Sequence, residues 1–248
     1  LTLQALEQFG VPFTVERRDG EVWSAVDWHT LEEAAPGRVR FRTRPAMYRA
    51  GRYAVEGDWS GASYFLAAGA IGTRPVRIEG LRTDSLQGDR VMLDILRDMG
   101  ADIDVEADAV TVHPSELHGV KADMSRCPDL VPTVAVLAAH ASGSTRLWNA
   151  AHLRIKECDR IAVPAQELAK VGVRCDEHDD GLTIHGDPSL PSRLHSLDGI
   201  GFSAHGDHRI AMSLALLELR GARLTLDNPA CVGKSFPNFW ECWGKVRV

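Results

Sequence analysis

The sequence predicts an α/β fold built from three repeats of βαβαββ type, with buried helices and outer mixed sheets. Three observations lead there. After residue 55 one order of elements recurs: a helix of small apolar residues, an alternating strand, a second helix closed by glycine, and a pair of strands. The first helix of each copy is apolar on nearly every side, as in Val-Pro-Thr-Val-Ala-Val-Leu-Ala-Ala-His-Ala at 131–141, and such a helix belongs in an interior. The second helices end on a shared phrase, Leu96-Arg-Asp-Met-Gly100-Ala matching Leu168-Ala-Lys-Val-Gly172-Val, and Leu6-Glu-Gln-Phe-Gly10-Val matches both.

Taken in order, residues 1–11 read as the end of an amphipathic helix with Leu3, Leu6 and Phe9 on its apolar side, stopped by Gly10. Two short alternating segments follow, 12–16 and 21–26. Residues 28–54 hold Pro36, Gly37, Pro45 and Gly51 with little periodicity apart from Val39-Arg-Phe-Arg-Thr43, and read as irregular connection to a boundary near Ala54. In the first copy Asp58 opens the small-residue run 62–71, which Gly72 ends. A strand at 74–79, a helix from Gly88 to Gly100, and strands at 101–105 and 109–113 follow. The second copy has a helix at 131–141, a strand at 145–149, a helix from Cys158 to Gly172, and strands at 173–177 and 182–185. The third opens at Asp207, runs as helix to Gly221 and strand at 223–227, and breaks off after a helical stretch at 236–246. The chain begins on Leu1, already inside a helical pattern, so it reads as part of a longer protein.

Composition narrows the function. Hydrophobic residues make up 44% and charged residues 25% of 248, the balance of a soluble globular protein. A net charge of −6 argues against general nucleic-acid or anionic-membrane binding, so an anion site here needs a local concentration of cations. No apolar run reaches the roughly 18 residues of a membrane span and no signal peptide is present, which suggests a cytoplasmic protein. Five cysteines lie scattered without CxxC or CxxH spacing, an odd number that suits reduced thiols and indicates neither a metal site nor a disulfide frame.

The densest chemistry is His152-Leu-Arg-Ile-Lys-Glu-Cys-Asp-Arg-Ile161, where Lys156, Glu157 and Arg160 crowd two cations and a carboxylate into five residues at an expected strand-to-helix junction. Free N–H groups and the helix dipole make such a junction a natural anion site. The same spacing also suits a solvated, salt-bridged first turn. Further cations stand at comparable places, His208 and Arg209 at one helix start and Lys234 before the last helix. If the repeats converge on an axis, these helix starts share one cleft, and a carboxylate left there, Asp129 or Glu157, is suited to moving a proton. Repetition supplies a plainer account as well. Asp58, Asp129 and Asp207 occupy equivalent helix starts, and each is explained as an N-cap accepting backbone N–H bonds.

At these residues the sequence resembles a known family. Val55-Glu-Gly-Asp58 with Ala62-Ser-Tyr-Phe-Leu-Ala-Ala68, Cys127-Pro-Asp129 with Pro132-Thr133, His152-Leu-Arg-Ile-Lys-Glu157 with Asp159-Arg-Ile161, Gly206-Asp-His-Arg-Ile-Ala-Met212 and Cys231-Val-Gly-Lys-Ser-Phe-Pro237 closely resemble, in order, the signatures of the 5-enolpyruvylshikimate-3-phosphate synthases. The resemblance implies an enolpyruvyl transferase-like fold of two threefold domains with substrates in the cleft between them. Residues 1–54 would then be the tail of an incomplete N-terminal domain and 55–248 a C-terminal domain of three repeats, the third incomplete. The remainder of the N-terminal domain would be the missing partner.

The implied reaction moves the enolpyruvyl group of phosphoenolpyruvate to the 5-hydroxyl of shikimate 3-phosphate, with no cofactor and no metal. Position by position, Asp129 matches the proton acceptor and Glu157 a carboxylate of proton transfer. Lys156 matches a lysine of the shikimate 3-phosphate site, and Arg160, Arg209 and Lys234 match cations that hold phosphoenolpyruvate. His208 lies beside them, and His152 stands where some members have an asparagine contacting shikimate 3-phosphate. Two alternatives stay open: a non-catalytic phosphate-binding or structural module, and the related transferase acting on UDP-N-acetylglucosamine, which relies on a reactive cysteine in another context.

Overall fold

The computed structural model describes residues 1–31, 33–194, 199–220 and 224–247. The chain divides into two compact units, residues 1–55 and 56–248.

In the first unit, helix α1 (Thr2–Gln8) leads into an antiparallel sheet of β1 (Phe13–Asp19), β2 (Val22–Ala25) and β3 (Val39–Thr43), ordered β2-β1-β3. Glu16 faces Arg40 directly across β1 and β3. Its carboxylate accepts from Arg40 Nε at 2.6 Å and Arg42 Nε at 2.8 Å, bonds that hold it down at a pKa of about 2.

The second unit is layered. Its central helices are α2 (Trp59–Ile71), α4 (Val131–His140) and α7 (His208–Ala215), with α4 packed on both of the others. All ten residues of α4 are buried, as are all of α2 except Ser60. Between α2 and α4 come β4 (Val76–Glu79), α3 (Met92–Asp98), β5 (Asp102–Val105), β6 (Ala109–His113) and β7 (Lys121–Asp123). After α4 come β8 (Ser144–Trp148), α5 (Ala162–Ala169), β9 (Arg174–His178), β10 (Gly181–His185), α6 (Leu190–Leu194) and β11 (Gly201–Phe202). Past α7 stand β12 (Thr225–Leu226) and α8 (Phe239–Val246). The sheets run β4-β6-β5, β7-β8-β10-β9 and β11-β12. The first is antiparallel throughout; β7 runs parallel to β8, and β11 to β12, each pair joined through an inner helix. Sheet lies against helix closely enough that a Cβ on Gly69 of α2 would meet the Val112 carbonyl of β6 at 2.6 Å.

The shared helix-stop phrase has one geometry in all three places. Gly10, Gly100 and Gly172 have φ of 69°, 92° and 73°. Behind each, the amide of the following residue bonds back to the leucine carbonyl five residues earlier, Val11 to Leu6, Ala101 to Leu96 and Val173 to Leu168. This is a Schellman stop, in which glycine supplies the left-handed turn and the apolar residue after it closes on the helix.

Several expected bounds shift. The helix read from Cys158 starts at Ala162, with Ile161 at its cap position; in the turn ahead of it Asp159 accepts from the Ile161 and Ala162 amides at 3.0 Å each. The helix read from Asp207 to Gly221 is α-helical only to Ala215 and continues as a 3-10 turn to Arg220; Gly221 and the start of the strand at 223–227 lie outside the described residues. β7, β11 and α6, of three, two and five residues, are too short to carry a periodic signal in the sequence.

His140 ends α4 inside this core. Its Nδ1 donates to the Val136 carbonyl at 2.9 Å, Nε2 has no partner among the described residues, and burial pushes its pKa down to about 4. Since an unfolded histidine titrates near 6.5, its contribution to stability is whole above that pH and is lost as pH falls through the window from 6.5 to 4. Urea titrations across this window should show His140→Leu losing an acid-sensitive slope worth on the order of 3 kcal/mol relative to the unsubstituted chain.

Candidate active site

The loop between β8 and α5 is fastened at both ends. Leu153 is fully buried in a 3-10 turn, Ala151–Ile155. Arg154 then ties the turn to the β9–β10 hairpin: its Nη1 pairs with Asp159 and Glu177 at 2.8 Å each, and Nη2 donates to the His178 carbonyl at 2.7 Å. Ile155, Lys156 and Glu157 are left exposed on the loop, while Arg160 turns inward with 2% of its side chain exposed.

A buried guanidinium needs acceptors on every edge. Arg160 Nε donates to Asp207 Oδ2 at 2.7 Å and Nη2 to Asp207 Oδ1 at 3.2 Å. Nη1 donates to Asp129 Oδ1 and Nη2 to Glu157 Oε2, both at 2.8 Å. Asp207 is itself fully buried and caps α7 through the Arg209 amide at 2.8 Å. Asp58 likewise caps α2, through the Ser60 and Gly61 amides. Asp129 is not a cap. It sits inside the 3-10 turn Pro128–Leu130, whose cap position is Cys127, and its carboxylate goes to two guanidinium groups, which form stronger charge-assisted bonds than a backbone amide.

Arg209, on the first turn of α7, donates from Nη2 to Asp129 Oδ2 at 2.9 Å and from Nη1 to the Ser60 hydroxyl. Lys234, closing the turn Pro229–Lys234, donates to Glu157 Oε1 at 2.6 Å. The result is a chain of alternating charge, Lys234–Glu157–Arg160–Asp129–Arg209, with Asp207 beneath Arg160. Bonding to Lys234, and then the charges of Arg160 and Lys234, hold Glu157 at a pKa of about 2, so it is a carboxylate across the neutral range. His208 is buried, its Nδ1 3.8 Å from Asp207 Oδ1, and burial lowers its pKa below the ordinary histidine value, leaving a neutral imidazole. Cys158 donates to Asp207 Oδ2 at 3.5 Å, and burial pushes its thiol up to about 12, so it stays protonated.

The structure therefore gathers Asp129, Glu157, Arg160, Arg209 and Lys234, with His208 adjoining. Lys156 and His152 are exposed and make no hydrogen bond or ion pair among the described residues. The charges at 156, 157 and 160 precede α5 instead of forming its first turn, so the solvated helix-start account of Arg160 fails. Sequence reading missed three residues: Asp207 as the buried partner of Arg160, Ser60, and Asp89, a partly buried carboxylate facing Ser60, Arg209 and Asp129, whose pKa burial raises. Ser60 and Arg209 lie 149 residues apart, and no local pattern joins them. A groove of about 490 Å³ lined by Phe65, Val76, Ile78 and Phe236, with Asp58, Arg77, Glu79 and Lys245 also on its walls, contains no member of the Lys234–Glu157–Arg160–Asp129–Arg209 chain. Among the described residues no group of three His, Cys, Asp or Glu could hold a metal ion.

Replacing Arg160 by methionine strands Asp207 in the interior and should cost about 3–5 kcal/mol in denaturant unfolding. Replacing Lys234 by alanine should leave the fold intact and raise the Glu157 pKa from about 2 toward the ordinary 4.5, followed by carboxyl-carbon NMR through an acid titration.

The family model for EPSP synthase (3-phosphoshikimate 1-carboxyvinyltransferase) matches residues 32–243. A 3-phosphoshikimate 1-carboxyvinyltransferase of Methanosphaerula palustris is 43% identical over 206 residues, 83% of this chain and 47% of its own length. One from Halorubrum lacusprofundi is 39% identical over 254 aligned residues, 100% of this chain and 53% of its own length. The EPSP synthase structure from Acinetobacter baumannii superposes with a TM-score of 0.75 at 26% identity, covering 99% of this chain and 54% of that one. The chain thus spans about half the length of the curated relatives it matches, and it has the α/β enolpyruvyl transferase fold that its motifs imply. On that agreement of family model, relatives and fold, the chain belongs to the EPSP synthase family.

Proposed function

We propose that this chain contributes one wall of an active site that transfers the enolpyruvyl group of phosphoenolpyruvate to the 5-hydroxyl of shikimate 3-phosphate with release of phosphate. The observation that carries the reading is Arg160, a buried guanidinium shared by Asp129, Glu157 and Asp207 and extended by Arg209 and Lys234. In this reading residues 1–54 are the tail of an N-terminal domain and 55–248 a C-terminal domain of three repeats. Each 3-phosphoshikimate 1-carboxyvinyltransferase relative named above is about twice as long, and we infer that turnover needs the residues beyond this chain. The protein acts in the cytoplasm.

The chemistry follows from the charges. Phosphoenolpyruvate brings a phosphate and a carboxylate, and Arg160, Arg209 and Lys234 neutralise them. With those cations drawn to the substrate, Asp129 and Glu157 are released from their ion pairs, and the Glu157 pKa rises from about 2 toward the range of a proton donor and acceptor. Protonation of C3 makes C2 electrophilic; the 5-hydroxyl attacks C2 and gives its proton to a carboxylate. The tetrahedral adduct then expels phosphate as C3 returns a proton. Lys156 and His152, exposed and uncommitted, are available to the shikimate 3-phosphate.

Calorimetric titration with phosphoenolpyruvate and shikimate 3-phosphate, singly and together, tests the reading. Binding that is lost in Lys234→Ala and Arg209→Ala is expected; no effect of either substitution would overturn the site. The 248-residue chain alone should turn over negligibly. With the complementary half supplied, Asp129→Asn and Glu157→Gln should each lower turnover about a hundredfold or more, and near-normal rates in both would sink the acid/base roles.

A further inference from the structure

Arg209 is held at two points by partners of different kinds. Nη2 pairs with the Asp129 carboxylate at 2.9 Å, and Nη1 donates to the Ser60 hydroxyl on the first turn of α2. An anion arriving at Arg209 competes with Asp129 for charge. Ser60 is neutral and has no such conflict, so it can keep its bond while the anion binds. A hydroxyl accepting from Nη1 must place its own proton elsewhere, and the carboxylate that faces it is that of Asp89, in the 3-10 turn Gly88–Val91 packed against α2. Three separate elements meet here, the starts of α2 and α7 and the turn before α3.

We propose that Ser60 and Asp89 are positioning residues for anion binding: Asp89 accepts the Ser60 hydroxyl proton, which turns the serine lone pair toward Arg209 and keeps the guanidinium aimed once Asp129 has been displaced. The inference rests on Arg209 being an anion-binding cation, as in the proposed function. It also carries a sign that simple electrostatics reverses. Asp89→Asn removes a negative charge beside Arg209, which by charge alone strengthens anion binding. Through orientation it weakens binding, because the amide can donate to Ser60 and so turn the hydroxyl proton onto Arg209.

The test is calorimetric titration of the 248-residue chain with phosphoenolpyruvate near neutral pH, with circular dichroism confirming the fold of each variant. Ser60→Ala should weaken binding about three- to tenfold, the range of one ordinary net hydrogen bond. Ser60→Thr, which keeps the hydroxyl, should bind like the unsubstituted chain. Asp89→Asn should weaken binding, yet add no further loss in the Ser60→Ala background. Tighter binding by Asp89→Asn, or an equal loss in both backgrounds, would overturn the role of Asp89. An unchanged Ser60→Ala beside a weakened Arg209→Ala would overturn the positioning and leave Arg209 its role. An inert Arg209→Ala, or no binding by the unsubstituted chain, would overturn the anion site and the inference with it.

Discussion

The burial of Arg160 is the constraint on which the rest of this unit depends. A guanidinium taken out of water costs several kcal/mol unless its charge and donors are met, and here they are met from three places: Asp207 at the start of α7, Asp129 in the turn before α4, and Glu157 on its own loop. No one of these elements can satisfy it alone. The pairing therefore fixes α4, α7 and the β8–α5 loop relative to one another, and Arg209 carries the constraint on to α2 through Ser60.

Such convergence is affordable only because the helices themselves are small. α2 and α4 are rich in Gly, Ala, Ser, Val and Leu and are buried on nearly all sides, so they can approach closely and bring their first turns together. Thr133 of α4 meets Ser213 of α7 at 3.2 Å, a buried hydroxyl pair that sets how far one helix can slide on the other. The aromatic cluster of Phe65, Phe236, Phe239 and Trp243 seats α8 against α2, and the turn ending in Lys234 runs directly into that cluster. Core packing and the ionic chain are one structure seen at two levels.

Much of this was legible in the sequence because its signals are local. All-round apolar helices announce their burial, and the repeated Leu-x-x-x-Gly phrase announces a helix stop that the backbone realises three times. The cations at Arg160, Arg209 and Lys234 were found from motifs, and they do come together. What sequence could not supply was the pairing. Asp58, Asp129 and Asp207 look alike as helix-start aspartates, yet two cap and one does not, and the difference lies in which guanidinium groups reach them from residues 31 or more positions away. Ser60 carried no signal, since a serine after a helix cap is ordinary, and its meaning comes only from Arg209 folding onto it.

The ionic chain also explains how so many cations tolerate one another. Arg160, Arg209 and Lys234 are matched one for one by their ion-pair partners Asp129, Glu157 and Asp207, so the repulsion among the cations is offset. Two of the three carboxylates, Glu157 and Asp129, are about a third exposed, while Asp207 is wholly buried. The arrangement therefore separates two duties. Asp207 keeps Arg160 in place whatever arrives, and the exposed pair can be exchanged for an incoming anion. In the proposed function, exchange would favour a ligand of at least two negative charges, since one charge cannot release both carboxylates without leaving a cation short, and this preference would follow from the charge balance before any contact specific to the ligand is considered.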